Sequence, residues 1–122
     1  MIPAWTVLIY MAAAEPDLLP YAYAALHEME AAFPDRATSA ASTVDTDVVV
    51  ELDLGTAETR RIHVRRAEEA HDPRRCLRPP GCSPADIRSP VVLTVDETAR
   101  APAERLRGFL GWGIHAYPSR HV

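Results

Sequence analysis

The sequence predicts an α/β fold in which helices cover a sheet that contains a β-hairpin. Residues 5–11 form an uncharged run of aromatic and β-branched side chains, and residues 47–53 contain three successive valines. Between these runs, residues 17–33 repeat apolar side chains at helical spacing. Strand, helix and strand in this order predict two parallel strands joined by a right-handed crossover. A length of 122 residues allows one small domain with a modest core.

The first strand is predicted to organise the sheet. Residues 5–11 carry no charge and no polar alternation, which is typical of a strand buried on both faces. We expect the later elements to pair with this strand or to cover it. The loop at residues 12–18 follows at the carboxyl edge, where open α/β sheets bind ligands.

Residues 17–33 are predicted to form an amphipathic helix, for which Asp17 is a suitable N-cap. Glu28 and Glu30 are expected to point away from the core, and a single helical histidine such as His27 is more often solvated or packed than catalytic. The predicted core positions are Leu19, Ala22, Leu26, Met29 and Phe33.

A hairpin is predicted after the valine-rich strand. A turn precedes Arg61, His63 and Arg65, which alternate with apolar residues. This alternation is typical of a half-exposed strand with a basic face toward solvent. Like charge on both sides of His63 disfavours a role as a base, so a surface position is expected.

Residues 68–90 form an irregular insert, rich in arginine and proline, that contains Cys76 and Cys82. A structural zinc site needs four ligands, and these cysteines with His71 supply three at an unusual spacing. Two free thiols in a surface loop are therefore favoured over a zinc site or a disulfide, and no metal or other cofactor is predicted. The weakest alternative is a metal site built from the cysteines with His63, His71 and His115.

The last part of the chain is predicted to form a short strand at residues 91–95 and a helix that begins at about Pro102 and stops at Pro118. Three glycines weaken this helix, so it needs tertiary support. Its predicted inward positions are Leu106, Phe109, Leu110 and Ile114.

Composition and charge argue against nucleic-acid and membrane partners. The net charge is −4, and the basic residues are spread along the chain rather than clustered. The apolar runs are far shorter than the ~20 residues of a membrane span. No cationic leader precedes the first strand, so a cytoplasmic location is the default expectation, with secretion as the alternative if the true start lies upstream.

Five segments of the chain, taken together and in order, are informative about the protein family. They are the opening Trp-Thr-Val-Leu-Ile-Tyr-Met-Ala-Ala with its acidic Asp-Leu loop, the helix with His27-Glu28-Met29-Glu30, the strand at residues 48–53, the hairpin strand with Thr59-Arg60-Arg61, and a closing pattern with Trp112-Gly113 and Tyr117-Pro118. In this order they resemble the amino-terminal part of clostripain-like cysteine peptidases. The resemblance implies a caspase-type α/β fold and cleavage of peptides after arginine or lysine by a Cys-His dyad.

The catalytic pair of that family matches no position in this sequence, so no catalytic residue is predicted. In the family, a further strand follows the Tyr-Pro pair and leads to a His-Gly motif, and the nucleophilic cysteine comes one strand later. Here the sequence stops at Val122, His121 precedes the expected strand, and Cys76 and Cys82 lie upstream. We therefore expect residues 1–122 to be the amino-terminal part of one peptidase domain, truncated before the catalytic strands and inactive alone. The expected partners are the remaining carboxy-terminal part and a peptide or protein substrate.

Two acidic residues are candidate substrate contacts. Glu15 and Asp17 lie in the loop at the carboxyl edge and could face a basic substrate side chain through a charge-assisted hydrogen bond. Helix capping is the commoner use of an aspartate at the position of Asp17 and is favoured. The alternative functions are a non-catalytic module that binds protein through the insert and the hairpin face, or a decayed peptidase fragment.

Overall fold

A computed structural model describes residues 2–15, 17–31, 45–54, 58–67 and 72–122. Two short 3-10 helices, Pro73–Leu77 and Pro84–Asp86, lie between the third and fourth strands. Within these ranges, no helix combines the length and apolar character needed to span a bilayer. The strands and α-helices in chain order are β1 (Trp5–Ala12), α1 (Leu19–Glu30), β2 (Thr46–Asp53), β3 (Thr59–His63), β4 (Val91–Val95) and α2 (Pro102–Ala116).

The strands form one mixed sheet in the order β1-β2-β3-β4. β1 and β2 are parallel, with Trp5 opposite Thr46 and Ala12 opposite Asp53. β3 is antiparallel to both β2 and β4. The predicted α/β class, the parallel pair and the hairpin are therefore confirmed. Phe33, a predicted core position of the first helix, and His71, a candidate metal ligand, lie outside the described residues.

The most buried strand is β2 and not β1. All residues from Val48 to Asp53 are buried, whereas Trp5 and Val7 of β1 are 50% and 41% exposed. β2 has a hydrogen-bonded strand on each side. β1 pairs with β2 along one edge. Along its outer edge, the described part of the chain forms a single parallel bridge, between Trp5 and His121. The prediction that β1 is buried on both faces and organises all later elements is wrong.

α1 covers the apolar face of the sheet. It begins at Leu19 after the N-cap Leu18, which makes no side-chain capping bond, so the prediction that Asp17 caps the helix is wrong. Glu30 was expected to point outward but is fully buried, because Ser89 donates to its carboxylate from both N and Oγ at 2.5 Å. The buried core on this face contains Ala13, Tyr23, Leu26, Val48, Val50, Leu52, Ile62, Val64 and Cys76.

α2 covers the opposite face of the sheet. Phe109 is fully buried with its ring 6.4 Å from that of Tyr10, and Thr6 Oγ1 donates to the Tyr117 carbonyl at 2.6 Å. The predicted inward position of Phe109 is therefore confirmed. The other three positions predicted to face inward are instead exposed by 38% to 50%, because the helix meets the sheet along the side that carries Phe109 and Gly113. These three are Leu106, Leu110 and Ile114, called the α2 apolar stripe below.

Two helical glycines differ in what surrounds them, and this gives a first prediction. A Cβ atom at Gly113 would lie 2.6 Å from Leu8 Cδ2, whereas one at Gly111 would meet nothing within 4 Å. We expect Gly111→Ala to raise the free energy of unfolding by up to ~1 kcal/mol through helix propensity. Gly113→Ala should be about 1–3 kcal/mol less stable than Gly111→Ala, because the new methyl group overpacks against Leu8. Urea unfolding of both variants tests this, and equal stabilities would show that α2 does not approach β1 so closely.

Candidate functional site

The carboxyl edge of β1 and β2 holds the predicted substrate contacts. Ala13 N donates to the Asp53 carbonyl at 2.8 Å, so the loop after β1 leaves the sheet beside the end of β2. Glu15 and Asp17 are both exposed on this loop. The Glu15 carbonyl accepts a hydrogen bond from Leu18 N at 2.9 Å, which forms the turn into α1. The loop thus lies at the predicted edge, and contact with a basic substrate remains a prediction.

Next to this loop, the Asp53 carboxylate accepts hydrogen bonds from one side chain of β1 and one side chain of α2. Tyr10 donates to Asp53 Oδ2 at 2.5 Å, and Arg105 of α2 donates to the same oxygen at 3.1 Å. Burial, together with the hydrogen bond to Asp53 and the carboxylate charge, raises the pKa of Tyr10 well above its usual range. Tyr10 therefore stays protonated at neutral pH. The Asp53 carboxylate therefore connects the ends of β1 and β2 to α2 through one hydrogen bond and one ion pair.

A second charged group lies buried between the sheet and α2. Arg61 Nε contacts Glu51 Oε1 at 2.9 Å, and its NH2 group contacts Glu97 Oε1 at 3.5 Å. All three residues are at most 5% exposed. The prediction that the hairpin turns a basic face to solvent is wrong for Arg61, since α2 covers that face. We call Glu51, Arg61 and Glu97 the buried charge triad.

Aromatic residues of α2 cover the triad. The Arg61 guanidinium carbon lies 4.7 Å from the ring centroid of Trp112 and 5.9 Å from that of Phe109. Cation–π contacts at these distances are attractive, and burial strengthens them. Arg61 therefore joins two carboxylates on the sheet side to two aromatic rings of the helix.

Burial of the triad predicts an unusual pH dependence of stability. Burial raises the pKa of the Glu51 carboxyl group above its ordinary value of 4.5, while Arg61 opposes this shift and Glu97 and Asp53 add to it. A carboxyl group with a raised folded pKa contributes most stability below its unfolded pKa and loses that contribution as pH rises through the folded pKa. We therefore expect the stability of the wild type, relative to Glu51→Gln, to fall as pH rises from about 4.5 toward neutrality.

Urea unfolding of the wild type and of Glu51→Gln across this pH range measures the difference. The exposed Glu28, replaced by glutamine, is the matched control for the loss of a carboxylate that is not buried. A wild type that gains stability relative to Glu51→Gln as pH rises would contradict the expected sign.

His63 lies under the carboxyl-terminal end of α2. Its Nε2 atom is 3.0 Å from Asp47 Oδ1, and its ring centroid is 5.0 Å from that of Tyr117. The side chain is 14% exposed, so the predicted surface position is wrong, for the same reason as at Arg61. The contacts of His63 join β2, β3 and the residue that ends α2.

The two cysteines form a disulfide, Cys76–Cys82, which contradicts the prediction of two free thiols. The insert folds back against α1 instead of lying free in solvent, so Cys76 is only 3% exposed and the two sulfur atoms meet. A disulfide offers no thiolate, and a thiolate is required for nucleophilic attack. Neither cysteine can therefore act as a nucleophile in this state.

The buried surroundings of His27 were not among the predictions made from the sequence. This residue is fully buried, its Nδ1 atom lies 3.5 Å from Glu30 Oε1, and one ring nitrogen lies within 4.8 Å of both cysteine sulfurs. The spacing of His27 and Glu30, three residues apart beside the core residue Leu26, was the available signal, since such residues share a helix face. The position of the insert over that face could not be read from spacing.

No protein-family model and no curated protein matches the sequence. Among solved structures, the chain is similar to a secreted C11 cysteine protease from Bacteroides thetaiotaomicron, determined in complex with an irreversible peptide inhibitor. The identity is 13% and the TM-score 0.61, over 98% of this chain and 28% of that one. The chain thus has an α/β fold that corresponds to part of the caspase-like fold of a C11 protease and spans little more than a quarter of that protein.

Proposed function

We propose that this chain forms the amino-terminal scaffold portion of a clostripain-like cysteine endopeptidase that cleaves after arginine or lysine. The observation that carries the proposal is the similarity in fold, over 98% of the chain, to a C11 cysteine protease. The five ordered segments described above, from the opening strand to the closing Tyr117-Pro118, support the same family.

The outer edge of β1 supports assembly with further sheet. Thr6 N donates to the His121 carbonyl at 2.9 Å, and His121 N donates to the Ala4 carbonyl at 2.9 Å, in a parallel bridge. Trp5, which forms the bridge, and Val7 beyond it are 50% and 41% exposed on β1. An open strand edge beside apolar side chains favours pairing with another strand. The partner that we propose is the carboxy-terminal part of the peptidase, which adds strands to this edge.

The α2 apolar stripe is a second surface suited to that partner. Its three side chains, one turn apart along the helix, are 38% to 50% exposed. Leucine and isoleucine at this spacing are typical of a helix face that packs on a neighbour. Alone, the chain is therefore expected to self-associate.

The proposed catalytic groups lie on the carboxy-terminal part. An efficient cysteine nucleophile requires a thiolate, a positioned base and donors for the oxyanion. Both cysteines of this chain are joined in a disulfide, and His63 is paired with Asp47. We therefore expect the chain alone to be inactive.

Glu15 and Asp17 are the proposed contacts to the basic substrate side chain. Both carboxylates are exposed at the carboxyl edge, and Asp17 is not used as the N-cap. A carboxylate recognises a guanidinium through paired charge-assisted hydrogen bonds. In the assembled peptidase, Glu15→Gln combined with Asp17→Asn should raise KM for arginyl substrates and leave kcat nearly unchanged.

Reconstitution tests the proposal. The reading frame continued past Val122 is expected to encode a strand, a His-Gly motif and, one strand later, a cysteine. The purified chain should not hydrolyse an arginyl amide, and the chain joined to that continuation should do so until its thiol is alkylated. Thiol-dependent hydrolysis by the 122-residue chain alone, or an assembled protein without peptidase activity, would overturn the proposal. In the alternative function, a non-catalytic binding module, the available surfaces would be the insert and the exposed Arg65, because Trp112 and Tyr117 lie over Arg61 and His63 of the hairpin face.

A further inference from the structure

We propose that, once its disulfide is reduced, this chain binds one zinc ion through Cys76, Cys82 and His27. These residues come from separate parts of the fold: His27 from α1, Cys76 from the first 3-10 helix and Cys82 from the loop that follows it. One ligand atom from each lies within 4.8 Å of the other two. The site differs from the metal site considered from sequence, since His63 is paired with Asp47 and His115 is exposed on α2.

The donor set fits zinc. Two thiolates and an imidazole are ligands that Zn²⁺ prefers, and tetrahedral coordination places such ligand atoms roughly 3.3–3.8 Å apart. The three atoms already lie within 4.8 Å of one another, so only small side-chain movements are needed after the sulfur–sulfur bond opens. The imidazole and thiolates together disfavour the hard cations Mg²⁺ and Ca²⁺.

A carboxylate is present to orient the histidine. Glu30 Oε1 lies 3.5 Å from His27 Nδ1, and both side chains are fully buried. The other carboxylate oxygen accepts hydrogen bonds from Ser89 N and Oγ, each at 2.5 Å, so the carboxylate is fixed in place. Metal-bound histidines usually have a carboxylate or a carbonyl on the nitrogen that does not bind the metal. With Nδ1 toward Glu30, Nε2 would be the metal ligand.

The site has access to solvent. Cys82 is half-buried, and an open depression of about 420 Å³ is lined by Cys76 together with Tyr21, Leu77 and Gly81 among other residues. A water molecule from this side would supply the fourth ligand, which zinc sites with three protein ligands leave open.

Reduction of the Cys76–Cys82 disulfide requires an external reductant, for which we propose a dithiol. The dithiol transfers two electrons and two protons to the Cys76–Cys82 bond, which gives two protein thiols and one oxidised, cyclic reductant. Zinc then displaces the two thiol protons and binds the thiolates and the neutral imidazole. The disulfide and the zinc site are thus alternative states of the same pair of cysteines, and a reducing compartment favours the second.

The experiment uses cobalt as a spectroscopic probe for zinc. The 122-residue chain is reduced with a phosphine and titrated with Co²⁺ under anaerobic conditions. We expect one equivalent to produce thiolate-to-cobalt charge transfer and the intense visible bands of tetrahedral cobalt, and one equivalent of Zn²⁺ to abolish both. The oxidised chain should give neither, and the exposed His115, replaced by alanine, is the matched control that should bind like the wild type.

Three variants separate this site from unspecific binding by thiols. Cys82→Ser, at a half-buried position, removes a ligand and should weaken cobalt binding by more than the ~10–100-fold that is typical for a residue that only orients a ligand. His27→Ala should remove the tetrahedral spectrum. Glu30→Gln should weaken binding about 10–100-fold without loss of the spectrum, as expected for a residue that orients a ligand.

If His27→Ala does not fold, X-ray absorption of the zinc-loaded wild type decides the question. Two sulfur ligands and one imidazole are expected. The proposal is wrong if the reduced chain binds no cobalt, if His115→Ala weakens binding as much as His27→Ala does, or if the absorption spectrum contains no imidazole.

Discussion

Arg61→Met is expected to destabilise the chain by about 3–5 kcal/mol at neutral pH, because it leaves the buried Glu51 carboxylate without its arginine and leaves Glu97 with only the exposed Arg100, at 3.6 Å. Arg61 contacts Glu51 at 2.9 Å and Glu97 at 3.5 Å, and its guanidinium lies over Trp112. Its removal therefore weakens the attachment of α2 as well as the sheet. Urea unfolding at a single protein concentration measures the loss.

The neighbouring arginine provides the matched control. Arg60 pairs at 3.4 Å with Glu58, whose side chain is 70% exposed, and such surface pairs contribute at most ~1 kcal/mol. Arg60→Met should therefore cost far less than Arg61→Met. Adding Glu51→Gln and Glu97→Gln to Arg61→Met should recover part of the lost stability, since no buried charge is then left without a partner. Equal losses for the two arginine variants would show that the triad is not buried as described.

Phe109→Ala should cost about 3–5 kcal/mol, as is usual when a fully buried phenylalanine is truncated. Its ring is 0% exposed and lies 6.4 Å from Tyr10 and 6.3 Å from Trp112. The substitution leaves a cavity between α2 and the sheet next to the triad. We expect the loss to appear in the free energy of unfolding and in the near-ultraviolet circular dichroism of the aromatic residues.

The control for this variant lies on the same helix. Ile114 is 50% exposed on the α2 apolar stripe, so Ile114→Ala should change stability by only about 0.5 kcal/mol in the isolated chain. The two results together would fix which side of α2 meets the sheet. If Ile114→Ala were the more harmful, the helix would be rotated relative to this structure, and the side predicted from sequence would be the correct one.

The order of strands and helices could be read from the sequence because it depends on local patterns. The uncharged run in β1, the three valines of β2 and Pro102 at the start of α2 each specify an element through its nearest neighbours in the chain. The acidic loop with Glu15 and Asp17 was likewise placed at the carboxyl edge, since a loop that follows a parallel strand leaves the sheet at that edge.

Burial of charge could not be read in the same way. The alternating arginines of β3 have the same local pattern whether their outer face meets water or α2, and only the fold brings Glu51 and Glu97 to Arg61. Glu30 is similar, because its buried carboxylate accepts hydrogen bonds from Ser89, 59 positions away in the chain. In both cases the energetic balance depends on partners that are distant in sequence.

The sequence by itself therefore determined the α/β class, the parallel β1–β2 pair, the hairpin and the existence of both helices. Only the tertiary structure decided that β2 is the buried strand, that α2 packs through Phe109 and Gly113, and that His27 meets the Cys76–Cys82 pair. The physical reason is the range of the interactions. Hydrophobic periodicity and chain breakers act within one element, whereas desolvation, ion pairing and the meeting of side chains depend on which elements are neighbours in space.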